Sequence, residues 1–348
     1  MVVKISLFMM KAVFMFKYLL ETYMEVNLPF FMVAGGAFLC SFLLMLVVGQ
    51  KFIAYAQQHL RAAAREDTPE THRVKDFTPT MGGCCIVGVV LVAMLLCGAW
   101  TPYTTVLALV LLSFCLIGAW DDLTKIRYRK GISERKKFIA QVIAAALLMT
   151  LWLWWAEPST MLEVPLFTWW SFDLGPILYV IWAVWVIACT VNAVNFTDGL
   201  DGLATLTLGA NFVLFMVIAL LSGFTSIAIF TCALGGALLG FLWYNAYPAQ
   251  LFMGDAGSLA LGATLACIAL MTKTELLIPL AGGIFFIEGV SVAAQILYFK
   301  ATGRRLFRMA PIHHHFELMG CPETKITMRF FIVTLVLCGA ALALFLVG

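Results

Sequence analysis

The sequence predicts an all-α integral membrane protein with ten transmembrane helices, and three observations carry that prediction. Of the 348 residues, 63% are hydrophobic and only 12% are charged, too few charges to solvate a water-soluble fold of this size. The apolar residues fall in repeated runs of roughly 18–25 residues, the length a helix needs to cross a bilayer. A barrel would show short alternating segments instead. The basic residues are also placed unevenly, with 18 of the 22 Lys and Arg in three stretches.

The spans read, in order, as 28–50, 81–99, 103–120, 136–155, 174–194, 203–222, 225–244, 256–271, 276–299 and 328–347. The stretch 51–80 carries Lys51, Arg61, Arg65, Arg73 and Lys75. The stretch 121–137 carries Lys125, Arg127, Arg129, Lys130, Arg135, Lys136 and Lys137, and 300–329 carries Lys300, Arg304, Arg305, Arg308, Lys325 and Arg329. Connections at 100–102, 156–173 and 223–224 have no basic residue, and 272–275 has Lys273 alone. The excess of positive charge marks the cytoplasmic side, so both termini are expected to be periplasmic. Residues 1–27, with Lys4, Lys11 and Lys17 among apolar residues, read as an interfacial amphipathic helix ahead of a single ten-helix unit spanning 28–348. The net charge of +3 is small and suggests no nucleic-acid partner. The ten cysteines show no C-x-x-C pairing, and buried free thiols are the expectation.

With this topology the polar clusters all gather at the cytoplasmic ends of the spans. Val191–Gly202 reads V-N-A-V-N-F-T-D-G-L-D-G and brings Asn192, Asn195, Asp198 and Asp201 at every third residue. On a helix these lie near one another. Left unpaired at a membrane boundary they would be costly, so they cap and pack helices or hold a charged ligand. Asp121–Asp122 end the third span; adjacent carboxylates repel, which suits a base or a metal ligand as well as a solvated helix end. Asp255 sits in F-M-G-D-A-G-S, where Gly254 and Gly257 allow close backbone approach and an oxygen ligand suits Mg²⁺. P-I-H-H-H-F-E places His313, His314 and His315 beside Arg304, Arg305 and Arg308. Consecutive imidazoles on a helix cannot converge on one metal ion, so phosphate binding and proton handling fit better. Thr78-Pro79-Thr80-Met81-Gly82-Gly83 follows Lys75 and reads as a phosphate or uridine contact, or as a helix entry with Pro in its first turn. Glu288 and Gln295, seven apart, share a face of the ninth span, as buried packing polars or as groups facing the cleft. A helix break is expected near Gly282–Gly283 or Gly289.

Taken in order, T-P-T-M-G-G, A-W-D-D, N-A-V-N-F-T-D-G-L-D-G, F-M-G-D-A-G-S and P-I-H-H-H-F-E resemble the phospho-N-acetylmuramoyl-pentapeptide transferases. These are a branch of the polyprenyl-phosphate N-acetylhexosamine-1-phosphate transferase superfamily, and the resemblance runs from about residue 28 onward. It implies Mg²⁺-dependent transfer from UDP-N-acetylmuramoyl-pentapeptide to undecaprenyl phosphate, giving lipid I and UMP, in a homodimer of the bacterial inner membrane. It implies that Asp255 coordinates Mg²⁺, that Asp121 takes or orients the lipid-phosphate proton, and that Asp122 supports it or the metal. An aspartate acting as nucleophile in two steps stays open. The histidines His313–His315 join the catalytic set. Lys75, Thr78, Thr80, Asn192, Asn195, Asp198, Asp201, Asn245, Phe252, Gly254, Ser258, Gln295 and Ala310 line the nucleotide-sugar pocket, with Phe252 stacking on uracil. Lys125 and Lys137 draw in the anionic substrate and hold headgroups. The competing expectations are a sister transferase using UDP-N-acetylglucosamine and, from another class, a transporter of lipid-linked substrate. A transporter would be expected to place some ionisable groups near the midplane.

Overall fold

The computed structural model describes residues 28–59, 78–164 and 171–347. The expected interfacial helix and Lys75 lie outside the described residues. The helices are α1 (Leu28–His59), α2 (Gly82–Cys97), α3 (Pro102–Tyr128), α4 (Glu134–Ala156), α5 (Gly175–Thr197), α6 (Leu203–Leu221), α7 (Thr225–Asn245) and α8 (Gly254–Met271). There follow α9 (Ile278–Ala281), α10 (Gly283–Thr302), α11 (Ile312–Glu317) and α12 (Glu323–Val347). Among the described residues nine helices are long and apolar enough to cross a membrane, so the chain is a multi-pass membrane protein. The remaining expected span is α2, apolar but only 16 residues long.

Two departures from a plain helical bundle have local causes. The stretch 156–173 carries a small antiparallel ribbon, β1 (Met161–Glu163) and β2 (Ser171–Asp173), in which Leu162 faces Phe172. Lys273, the lone basic residue at that end, donates to the Ser159 carbonyl and lies 4.1 Å from the centre of the Tyr179 ring. Its charge is therefore held within the protein, as a cation over an aromatic face. The expected ninth span is divided into a 3₁₀ turn (Glu275–Leu277), α9 and α10, with Gly282 out of helical geometry at ψ 31°. Two glycines in sequence lower the cost of that break. Gly289, the other candidate, stays inside α10.

Helix α8 is the axis of the bundle: 89% of its apolar stretch is buried, against 17% for α12. Helices α2, α3 and α5 pack around it. Without a hydrophobic drive between helices in lipid, such packing relies on small residues that let backbones approach. Gly118 of α3 lies directly against the Asp255 backbone, where a Cβ would collide with the Asp255 carbonyl. Gly83 of α2 meets Gly257 in the same way. These contacts place the C-terminal end of α3 and the N-terminal ends of α2 and α8 together. Chain direction brings the end of α5, the start of α4 and the end of α7 to the same face of the bundle.

Replacing Gly118 by alanine should lower the melting temperature in detergent, since overpacking a tight contact costs about 1–3 kcal/mol. Gly88→Ala, on α2 with open space around it, should leave the melting temperature unchanged or raise it slightly. Equal melting curves for both variants would contradict the packing described.

Candidate active site

The site is built from the ends of helices that do not neighbour one another in sequence. The T-P-T-M-G-G stretch lies alongside F-M-G-D: Phe252 N donates to Pro79 O at 2.9 Å, Gly82 N to Phe252 O at 2.9 Å, and Gly83 N to Met253 O at 2.9 Å. Pro79 therefore sits in paired extended backbone, and the first turn of α2 starts later, at Gly82. Thr78 donates to Ala249 O at 3.4 Å. Gly254 takes φ +72°, and a Cβ there would stand 2.6 Å from an Asp122 oxygen and 2.7 Å from Thr80 Oγ1. Only glycine accommodates both that dihedral and that crowding.

Asp122 reaches from α3 to the start of α8. Its carboxylate accepts from Asp255 N at 3.2 Å and Ala256 N at 3.0 Å. Helix α8 has no side-chain cap of its own, so Asp122 satisfies amide donors that the first turn leaves over. The second residue of the A-W-D-D pair is thus an anchor for Asp255. Asp121 accepts from Ile132 N at 2.8 Å through one oxygen. Its other oxygen lies 2.7 Å from the Lys125 ammonium and 3.7 Å from that of Lys137. Asp255 Oδ2 meets the same two ammoniums, Lys125 at 3.1 Å and Lys137 in a shorter contact. Asp255 Oδ1 accepts from Asn195 at 3.1 Å, and the same Asn195 amide donates to Ser258 Oγ at 2.9 Å. Lys137 is only 5% exposed. Lys137 therefore lies buried among the carboxylates, while the partly exposed Lys125 reaches them from the rim.

Asn192 and Asn195 lie on α5, but the helix ends at Thr197, and Asp198 and Asp201 belong to the turn that follows. The three-residue spacing therefore does not form one helical stripe; it divides where Gly199 and Gly202 interrupt the helix. Asn192 donates to Gln141 of α4 at 3.2 Å. Asp201 and Asn245 serve as ties. Asp201 Oδ2 accepts from Ala249 N at 2.9 Å and its backbone N donates to Glu323 at 2.7 Å. Asn245 accepts from Thr205 at 2.6 Å and donates to Leu251 O at 3.0 Å. Gln295 accepts from the backbone of Leu306 and Phe307 at 3.0 and 2.9 Å, which fixes the segment leading to Ala310 and the histidines. His313 packs against Gly199, so the histidine turn adjoins the Asp198 loop. Phe252 is partly exposed beside Gly254. All ten cysteines are free.

Gly118, Gln141, Gly131 and Glu323 belong to none of the sequence motifs. Gly131 crowds the Asp121 carboxylate. Each acts through a partner more than ten residues away or through lack of a side chain, and only Gly118, a small residue in L-I-G-A-W, leaves a faint trace in the sequence.

The carboxylates suit a divalent cation. Asp121 and Asp255 each turn one oxygen to the same pair of ammoniums, so two cationic groups already bridge them. Mg²⁺ takes oxygen ligands, commonly one or two carboxylates with phosphate oxygens completing the shell. Among the described residues no three His, Cys, Asp or Glu side chains gather around one metal position.

Asp198 stands apart from these pairs. Asp198 is half-buried, and its desolvation, reinforced by the charges of Asp255, Asp122 and Asp201, pushes its carboxyl up to about 8. An unfolded aspartate titrates near 3.9, so between about pH 4 and pH 8 the folded state holds a proton that the unfolded state has lost. Stability from this group therefore falls as pH rises through that window. Asp198→Asn should flatten the fall of the detergent melting temperature between pH 5 and pH 8. Parallel profiles for the variant and the wild type would contradict the assignment.

The chain matches the model of glycosyl transferase family 4 over residues 104–273, a range that holds Asp121, Asp122, Asn195, Asp198, Asp201 and Asp255. It is 44% identical over 328 residues to the phospho-N-acetylmuramoyl-pentapeptide-transferase of Aquifex aeolicus, covering 88% of this chain and 91% of that one. The enzyme of the same name from Desulfosudis oleivorans is 45% identical over 324 residues, 86% of this chain and 89% of its own. That of Nitratidesulfovibrio vulgaris is 44% identical over 327 residues, 87% and 90%. With this identity over nearly the whole of each chain, the protein belongs to the phospho-N-acetylmuramoyl-pentapeptide-transferase family, membrane-embedded phosphoglycosyl transferases of peptidoglycan synthesis.

Proposed function

We propose that the chain transfers phospho-N-acetylmuramoyl-pentapeptide from its UDP derivative to undecaprenyl phosphate, with Mg²⁺, giving lipid I and UMP. The observation that supports this most is the convergence of Asp121, Asp122 and Asp255 on Lys125 and Lys137 at one end of the bundle. In this reading the three basic stretches face the cytoplasm, α2 is the tenth span, both termini are periplasmic, and the membrane is the bacterial inner membrane. The site then lies where a lipid phosphate and a soluble nucleotide sugar meet.

An oxygen of the lipid phosphate attacks the β-phosphorus of the nucleotide sugar. The bond from that phosphorus to the oxygen bridging the two phosphates breaks, and UMP leaves with the electron pair. Asp121 takes the proton of the lipid phosphate, or orients that group. Lys125 and Lys137 exchange their carboxylate partners for phosphate oxygens, lowering the cost of gathering two anions. Asp255 and Asp121 would hold Mg²⁺, which neutralises charge on the diphosphate when bound. Asp122 keeps the first turn of α8 in place, and with it Asp255. Asn195 orients Asp255, and Phe252 offers a face for uracil.

Detergent-purified protein supplied with both substrates and Mg²⁺ should release UMP, and EDTA should stop it. Asp255→Asn should lower release at least a hundredfold while the protein keeps its elution profile. Release with UDP-N-acetylglucosamine in place of the muramoyl donor would move the reaction to the sister branch, and transport without UMP release would remove the enzyme reading. Phe252→Ala should raise the KM for the nucleotide sugar about tenfold, with a smaller effect on kcat; the reverse pattern would exclude the stacking role.

A further inference from the structure

The sequence presents three neighbouring histidines as equals, but the fold gives each a different environment. His313 is fully buried, and its Nδ1 lies 3.1 Å from Glu288 Oε1, which is also fully buried. Among the described residues none of His313 Nδ1 and Nε2 or Glu288 Oε1 and Oε2 has a hydrogen-bond partner, so the 3.1 Å approach is an electrostatic contact between two otherwise unpartnered side chains. A buried carboxylate and a buried imidazole each carry a desolvation cost that only the other is placed to offset. On its far side the His313 ring lies against Gly199, where a Cβ would collide with Nε2. The ring is thus held between α10 and the Asp198–Gly202 turn, which it joins.

The other two histidines depend on that anchor. His314 lies with its ring centre 4.1 Å from that of His313, and its Nδ1 is 2.6 Å from Glu317. An imidazole oriented by a carboxylate at Nδ1 has the arrangement used for proton transfer at Nε2. His315 accepts from Arg308 N at 3.1 Å through Nδ1, and its ring meets Phe307 and Phe316 edge-on. Its nitrogen thereby ties the basic segment 304–311 to α11.

We propose that Glu288 is a positioning residue: through His313 it seats the histidine turn on the Asp198 loop, so that His314 is the imidazole presented to the phosphate-bearing substrate. This rests on the transferase reading above. His313 and His315 then act as anchor and loop tie, and Gly199 leaves the room that the anchor requires. Glu288 is chemically silent in the transfer and acts only through the ring it holds.

A double-mutant cycle tests the proposal. Glu288→Met keeps the volume and removes the carboxylate facing His313; it should preserve the elution profile and lower UMP release at least tenfold. Glu288→Gln keeps an acceptor oxygen and should return release to within threefold of wild type. In a His314→Ala background, Glu288→Met should lower release less than twofold further, because its effect passes through His314. Losses that multiply in the double variant, or Glu288→Met activity above half of wild type, would overturn the proposal. Carbethoxylation of the folded protein by diethyl pyrocarbonate, mapped by peptide mass spectrometry, reads the anchor without turnover. His313 should stay unlabelled in wild type and become labelled in Glu288→Met; equal labelling in the two would overturn the anchor. Wild-type protein that releases no UMP would count against the transferase reading, and the labelling would still decide the role of Glu288.

Discussion

The arrangement depends on three carboxylates held within reach of two lysines at the end of a buried helix. Asp121 and Asp255 share Lys125 and Lys137, and Asp122 is taken up by the first amides of α8. Removing either lysine would leave Asp121 and Asp255 to share the one counter-charge that remains. The charges also require close helices. Gly118 brings α3 onto the Asp255 backbone, and this contact puts Asp122 within hydrogen-bonding distance of α8. Packing and electrostatics are therefore one constraint at this end of the bundle.

The polar residues around this centre divide into those that hold the scaffold and those that remain for ligand. Asp201, Asn245 and Gln295 have their side chains engaged with backbone or with Thr205. They fix the 198–202 turn, the 246–252 loop and the segment before the histidines. Asn195 bridges Asp255 and Ser258, so it orients the carboxylate with which it is in contact. Asp198, raised by its burial and its acidic neighbours, and Phe252 lie among these fixed elements. A loop site gains precision when the loops are tied by buried hydrogen bonds to rigid helices.

Much of this was legible in the chain. The apolar runs located most of the helices, because the thickness of a bilayer sets their length, but α1 runs on to His59 and α3 to Tyr128, past the expected ends at 50 and 120. The motif residues Asp121, Asp122, Asn195, Asp255 and Ser258 were all expected at a site, and the structure brings them into one hydrogen-bonded cluster. The break at Gly282 followed from two adjacent glycines. Less legible were roles that depend on a partner distant in sequence. The three-residue repeat from Asn192 to Asp201 suggested a helical stripe, but a repeat cannot reveal where a helix stops. Lys125 and Lys137 read as a surface basic cluster because sequence shows charge and not depth.

The sequence by itself determined that the protein crosses a membrane, where its apolar helices lie, and which residue types gather at their ends, since these follow from hydropathy and local spacing. Only the tertiary structure decided which carboxylate caps α8, which lysines lie between which aspartates, and which histidine is buried on Glu288. Those outcomes rest on distances between helices that are far apart along the chain. They are set by the missing side chains of Gly118 and Gly199 as much as by the charges themselves, and an absent side chain carries no local signal until its neighbour is known.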